Sequence, residues 1–138
     1  MPQLPQQFLD SIKNAPGLQL DAFMQTHASA NKVTSVRLNP FKPSSLPFAI
    51  EAPLPWLDSA FYLKERPVFT LDPLFHAGCY YVQEPGSMFL AQAFSQVAKN
   101  QRIAAVLDVC AAPGGKSTLL SSLIGEDDLL VCNEVIKN

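Results

Sequence analysis

Val106-Leu107-Asp108-Val109-Cys110-Ala111-Ala112-Pro113-Gly114-Gly115-Lys116-Ser117-Thr118 is an apolar run that closes in a turn of small residues with two adjacent glycines and passes at once into a helix-like segment. Nineteen residues after Gly115, Glu134 follows a second apolar run. Residues 103–109 predict a buried strand, 116–124 a helix stopped by Gly125, and 129–132 a second buried strand. A helix between two strands returns the chain to the same sheet edge, so the prediction is a parallel β-α-β unit. Two buried parallel strands need further strands beside them and helices on both faces. The expectation is therefore that this chain is the front portion of a larger protein.

Upstream, 5–14 predicts a short helix through Phe8, Leu9 and Ile12, stopped by Pro16-Gly17. A second helix is expected over 19–30 through Leu20, Phe23, Met24 and a partly buried His27. Residues 33–38 predict a strand with Val36 and Leu38 on one face and Arg37 and Asn39 on the other. Five prolines, Pro40, Pro43, Pro47, Pro53 and Pro55, make 40–55 a connector without a regular element. Trp56, Leu57, Phe61, Tyr62 and Leu63 predict a turn and a short strand packing a domain junction, 80–83 another strand, and 87–98 one helix. The expected fold class is α/β: a small N-terminal α/β domain over 1–70, then the first β-α-β part of an incomplete Rossmann-like domain over 71–138.

The composition is that of a globular chain: 138 residues, 48% hydrophobic, 16% charged, formal net charge −2. Residues 1–70 carry six Lys/Arg against five Asp/Glu, and 71–138 carry four against seven, so neither half has the basic excess of a stand-alone nucleic-acid binder. If RNA is the substrate, its positive surface is expected to be local or to lie on sequence outside this chain. The three cysteines, Cys79, Cys110 and Cys132, are far apart, which argues against a disulfide framework and a structural zinc site and fits a reducing, cytoplasmic setting. No apolar run approaches about 20 residues, so no membrane span is expected. The N-terminus, with Pro2 and Pro5 and no early basic cluster, does not read as a secretory signal.

The glycine loop has three ligand readings. A phosphate loop of the NTPase type matches at Gly115-Lys116-Ser117, but Cys110 stands where its first glycine belongs and Pro113 removes a backbone N–H. A dinucleotide loop needs Gly-x-Gly-x-x-Gly, and here the glycines are adjacent. An S-adenosylmethionine loop needs no full anion nest. It needs close backbone approach, which Gly114 and Gly115 permit, a helix start for the carboxylate, and an acid on the next strand for the ribose, where Glu134 stands at near the usual offset of about 20 residues. Against all three stands a plain tight turn packing helix on strand, with Glu134 a solvated strand end.

The letters of VLDVCAAPGGKST resemble the first cofactor motif of the Nol/Nop/Sun family of RNA cytosine-5 methyltransferases. His76-Ala77-Gly78-Cys79-Tyr80-Tyr81-Val82-Gln83-Glu84-Pro85-Gly86-Ser87-Met88 resembles that family's other leading motif. Asn133-Glu134 is similar to its second-strand acid, and Ser35-Val36-Arg37-Leu38-Asn39-Pro40 to the arginine–asparagine strand of its small N-terminal domain. The four matches come in family order across 33–134, and the whole looks like the N-terminal part of an RsmF-like member.

The resemblance implies S-adenosylmethionine as cofactor and an RNA substrate, rRNA or tRNA. Cys110, Ala111, Ala112, Pro113, Gly114, Gly115 and Lys116 would wrap the cofactor, largely through backbone groups, and Glu134 would hold its ribose. Asp108 would brace the loop or approach the methionine amine, and Gln83, Glu84 and Ser87 would border the pocket. Family chemistry adds a cysteine thiolate to C6 of a flipped-out cytosine so that C5 becomes nucleophilic. Those cysteines belong to Pro-Cys and Thr-Cys segments, and no such pair occurs in this chain. The resemblance therefore puts the catalytic cysteines beyond Asn138, and the chain is expected to lack the nucleophile and to be inactive alone. Cys110 and Cys132, at strand ends, and Cys79 are expected to be buried and inert. A rival reading is a non-catalytic RNA-binding or assembly module. No metal is expected at His76, which more simply caps a turn before Gly78 or fixes Gln83-Glu84. Asp127-Asp128 reads as a solvated turn, and Arg37 as a phosphate contact or an ion pair within its own domain.

Overall fold

The computed structural model describes residues 4–29, 33–42 and 45–136. Pro2, Ala30 at the expected end of the second helix, and Pro43 of the connector lie outside them. So does Asn138, the position beyond which the catalytic cysteines are expected; none of the described cysteines takes their place in a Pro-Cys or Thr-Cys pair. The contacts divide the chain into two compact units, before and after the step from Lys32 to Val33. The division expected at 70/71 falls between two strands of one sheet, as described below.

The first unit is a helix pair. α1 (Gln6–Ile12) starts directly after Pro5, and α2 (Leu20–Ala28) follows a turn in which Gly17 takes φ +79°, the left-handed region open to glycine. Phe8 and Phe23 meet with ring centroids 6.3 Å apart. Phe23 also stacks on His27 at 6.2 Å, yet His27 is exposed, not partly buried as expected.

The second unit opens with β1 (Thr34–Leu38), which becomes the middle of an antiparallel sheet. Its neighbours are β3 (Ala60–Leu63), with Val36 opposite Phe61, and β4 (Tyr80–Val82), with Val36 opposite Val82. Val36, Leu63 and Tyr80 bury together, with Phe48, Phe61 and Phe75 packed against them. The connector contains an element that the prolines concealed: β2 (Ile50–Pro53) pairs with β3 at the sheet edge, with an irregularity between Ile50 and Ala52. An edge strand tolerates a proline because one row of its N–H groups faces away from the ladder. A second cluster of Leu54, Ala60 and Met88, backed by Trp56, Leu57 and Tyr62, joins the same sheet to the helices that follow. Trp56 Nε1 donates to the Pro85 carbonyl at 3.1 Å.

A 3-10 turn (Phe69–Leu71) and α3 (Pro73–His76), whose start is capped by the Asp72 carboxylate, lead into β4. The single helix expected over 87–98 is two: α4 (Pro85–Met88) and α5 (Leu90–Ala98). Glu84 sets the earlier start by accepting from the N–H groups of Gly86 and Ser87, and the break falls at Phe89, whose N–H turns to Gly86, three residues back.

β5 (Ala105–Asp108), α6 (Gly115–Ser121) and β6 (Leu129–Cys132) form the expected parallel β-α-β unit, in register from Ala105/Leu129 to Asp108/Cys132. The chain is thus mixed α/β, an antiparallel sheet followed by a parallel strand pair. The strands are not buried as expected. α6 covers one face with Leu119 and Leu120, while Leu107, 60% exposed, and Leu129, 58% exposed, line an open face. Cys110 and Cys132 are exposed as well, which corrects the expectation that burial silences them, and Cys79 is half-buried.

Candidate functional site

The site grows from the end of β5. Asp108 accepts from the Cys110 N–H at 3.2 Å through one carboxylate oxygen and from the Ser117 hydroxyl at 2.7 Å through the other. One side chain therefore ties strand, loop and helix together. The loop turns back at Ala111, whose carbonyl takes the Gly114 N–H at 2.7 Å. Gly114 has φ +100°, and a Cβ placed there would meet nothing within 4 Å, so its requirement is purely one of backbone conformation.

Gly115 is needed for a different reason. A Cβ on it would lie 3.3 Å from Gln83 Nε2 and 3.5 Å from the Tyr81 ring. The bare backbone lets β4 and the residue after it press onto the loop: Gln83 Nε2 donates to the Gly115 carbonyl at 3.1 Å, and the Tyr81 hydroxyl to that of Pro113 at 3.4 Å.

Behind this contact lies Arg37, only 4% exposed. Its Nε donates to Gln83 Oε1 at 3.0 Å, and Nη2 to the Thr118 hydroxyl at 2.7 Å and the Gly115 carbonyl at 3.4 Å. Of the two roles expected for Arg37, an ion pair within its own domain is not the one adopted, because no carboxylate among the described residues pairs with it. Burial lowers its pKa from the usual guanidinium value. The sequence signals it through the likeness of Ser35–Pro40 to an arginine–asparagine strand and as a polar position beside Val36, but its burial shows only in the packing.

Glu134, just past β6, reaches back to the loop. One oxygen accepts from the Ile136 N–H at 2.9 Å, the other from the Ala112 N–H at 3.0 Å, and these two bonds, in that order, hold its pKa below the ordinary glutamate range. Glu84 is held low by the Gly86 and Ser87 N–H groups it caps, that of Gly86 first.

A cleft of about 330 Å³ opens between these parts. Tyr81, Gln83, Glu84 and Ser87 form one wall; Cys110, Ala111, Ala112, Pro113, Gly115 and Lys116 form the other. Eight positions were expected at a cofactor. Six line this cleft; Gly114 shapes the turn from outside the wall, and Glu134 holds the loop at Ala112. Lys116 has no ion-pair partner among the described residues. Tyr81 carries no signal of its own in the sequence, since only the packing reveals its approach to Pro113. His76 does neither of the things expected of it: its Nε2 lies 2.8 Å from the Thr70 carbonyl and closes the 3-10 turn. Asp128 is also more than solvated charge, for it accepts from the Gly125 N–H at 2.8 Å and pairs with Arg102 at 3.2 Å. No helix among the described residues is long and apolar enough to cross a membrane.

The family described as the N-terminal domain of 16S rRNA methyltransferase RsmF matches residues 4–85. Proteins named ribosomal RNA small subunit methyltransferase F are similar along nearly the whole chain: that of Shewanella piezotolerans is 32% identical over 97% of this chain and 31% of its own length. That of Vibrio vulnificus is 32% identical over 95% and 30%. The chain thus spans about 30% of the length of these relatives. Among solved structures, PH0851 superposes with a TM-score of 0.77 at 22% identity, over 96% of this chain and 31% of that one. A methyltransferase homolog protein from Pyrococcus horikoshii superposes at 0.57 and 24% identity, over 94% and 48%. These likenesses establish a shared fold.

Proposed function

Because the chain belongs to the family of the N-terminal domain of 16S rRNA methyltransferase RsmF, we propose that it carries the cofactor loop of an RNA methyltransferase that uses S-adenosylmethionine to methylate C5 of a cytosine. The observation that supports this best is the bond between Glu134 and the Ala112 N–H, which brings the second-strand acid to the glycine loop at one edge of the β-α-β unit.

The donor set suits this cofactor. The first N–H groups of α6 have no intrahelical acceptor, and Lys116 offers a cation beside them, so a carboxylate is favoured there. Glu134 has spent one acceptor site on each oxygen, and a carboxylate has about four, so two ribose hydroxyls can still donate to it. Asp108 fixes the loop that these groups share and lies near its base. When bound, the cofactor supplies a sulfonium-activated methyl group. The chain's own residues bind and orient it, and Tyr81 and Gln83 hold the loop from the opposite side.

We assign the attacking thiolate to none of Cys79, Cys110 and Cys132, since none stands in a Pro-Cys or Thr-Cys pair. The open face of β5 and β6, lined by Leu107, Leu129 and Val131, is where further layers of a full-length enzyme pack. An rRNA substrate and a cytoplasmic setting follow from this reading. Calorimetric titration of S-adenosylmethionine into the full-length protein tests it. Binding that disappears in Glu134→Ala is expected; absence of binding, or binding untouched by that change, refutes it. The 138-residue chain alone is expected to transfer no labelled methyl group to RNA.

A further inference from the structure

A second cavity, of about 340 Å³, is lined by Arg37 of β1 and by residues of β4 and α6. Its polar lining is Arg37, Asn39, Lys42, Thr118, Ser121 and Ser122, and Phe41 and Tyr81 supply aromatic faces. The lining holds two cations and no carboxylate. The Asp72 carboxylate nearby is turned to the Tyr80 hydroxyl at 2.7 Å and the Leu74 N–H at 2.9 Å.

The hydrogen-bond valences left over are chiefly donors. Arg37 has five N–H groups; its Nη1 makes one long contact, 3.5 Å, to the Thr118 carbonyl and keeps a second hydrogen free. Lys42 gives one hydrogen to the Ala77 carbonyl at 2.7 Å and keeps two. Asn39 donates to the Gly78 carbonyl at 2.9 Å, keeps one amide hydrogen, and uses its oxygen on the Phe41 N–H at 3.0 Å. A guanidinium that is 4% exposed and meets only neutral acceptors is a costly arrangement. An anion in the cavity compensates it. The depressed pKa of Arg37, caused first by burial, agrees with a cation awaiting such a partner.

We propose that this cavity binds a phosphate group, and specifically a backbone phosphodiester of single-stranded RNA, between Arg37 and Lys42. Phosphodiester is favoured over free phosphate because Phe41, 65% exposed, stands at the rim beside Lys42, and an exposed ring next to a cation suits a nucleotide base stacking while its phosphate is held. It also answers how a chain of net charge −2 engages RNA, since the positive potential is concentrated in one lining. The choice of RNA rests on the methyltransferase reading; the cavity is separate from the cofactor cleft, so failure of cofactor binding there and failure of RNA binding here are read independently.

The test is fluorescence anisotropy of a short labelled single-stranded RNA titrated with the 138-residue chain at several salt concentrations, with inorganic phosphate as competitor. Lys42→Gln is expected to weaken binding about fivefold at low salt and to reduce the salt slope by about one. Ser121→Asp, which sets a carboxylate in the lining, is expected to weaken it at least as much, and Lys13→Gln on α1 to leave it unchanged. Phosphate is expected to displace the RNA and to shift the amide resonances of Asn39 and Gly78. RNA binding unaltered by both Lys42→Gln and Ser121→Asp overturns the proposal, as does absence of RNA binding. Phosphate shifting those amides while RNA does not compete overturns the RNA assignment in favour of a free-phosphate site.

Discussion

Glu134 Oε2 accepts the Ala112 backbone N–H at 3.0 Å, joining a residue just past the second parallel strand to the loop that follows the first. With the Ile136 N–H on its other oxygen, this holds the Glu134 pKa low, and Glu84 at the start of α4 is held low in the same way. For a carboxyl depressed in the folded state, the unfolded chain binds more protons in acid. The stabilisation is complete above the unfolded glutamate value, about 4.3, and is lost as pH falls through the folded one. Denaturation midpoints should therefore drop as pH is lowered from about 5 into that range. Glu134→Gln with Glu84→Gln should flatten the drop, which urea titrations across a pH series will measure.

Ser117 is 8% exposed and gives its hydroxyl hydrogen to Asp108 at 2.7 Å. Ser117→Ala removes a hydrogen bond to a charged acceptor while Asp108 keeps its bond to the Cys110 N–H, so a loss of about 1.5–3 kcal/mol is expected from chemical denaturation. Ser117→Thr, which retains the hydroxyl, should recover part of it.

The two glycines should fail differently. Gly114→Ala meets no neighbour but forces a side chain onto φ +100°, a cost of about 1–2 kcal/mol from backbone alone. Gly115→Ala has no such backbone penalty and instead presses on Gln83 Nε2 at 3.3 Å. Pairing each with Gln83→Ala separates the causes: the Gly115 effect should shrink in that background and the Gly114 effect should not.

Gln83, 7% exposed, links Arg37 Nε at 3.0 Å to the Gly115 carbonyl at 3.1 Å. Gln83→Leu deprives a buried guanidinium of an acceptor and should destabilise by about 2–3 kcal/mol at unchanged denaturant slope.

Cys110 and Cys132 are exposed while Cys79 is half-buried. Brief alkylation of the native chain followed by peptide mass analysis should find the first two labelled ahead of Cys79. Equal labelling of all three would contradict the half-buried position of Cys79.

Periodicity and turn letters carried the local elements far. α1, α2, β1, β3, the parallel pair and α6 arise where apolar spacing and stop signals agree, and Asp108, Gly114 and Gly115 stand where the loop letters put them. The break at Phe89 escaped because a helix-like apolar face continues across it, and only the Gly86 carbonyl taking the Phe89 N–H interrupts the ladder. β2 escaped because its pairing with β3 overrides the local discouragement of Pro53. Burial of the parallel strands was misjudged because an apolar run reports a tendency to be covered, and covering Leu107 and Leu129 depends on what packs there.

The sequence by itself determined the strand–loop–helix–strand order and the conformational freedom at Gly114, because backbone preferences and periodicity act over a few neighbouring residues. Only the tertiary structure decided that Gly115 is small to admit Gln83, that Glu134 ties down Ala112, and that Arg37 lies buried among neutral partners facing an acid-free cavity. Each of those depends on residues dozens of positions apart meeting in space, and the desolvation and hydrogen-bond geometry that give them meaning exist only once they have met.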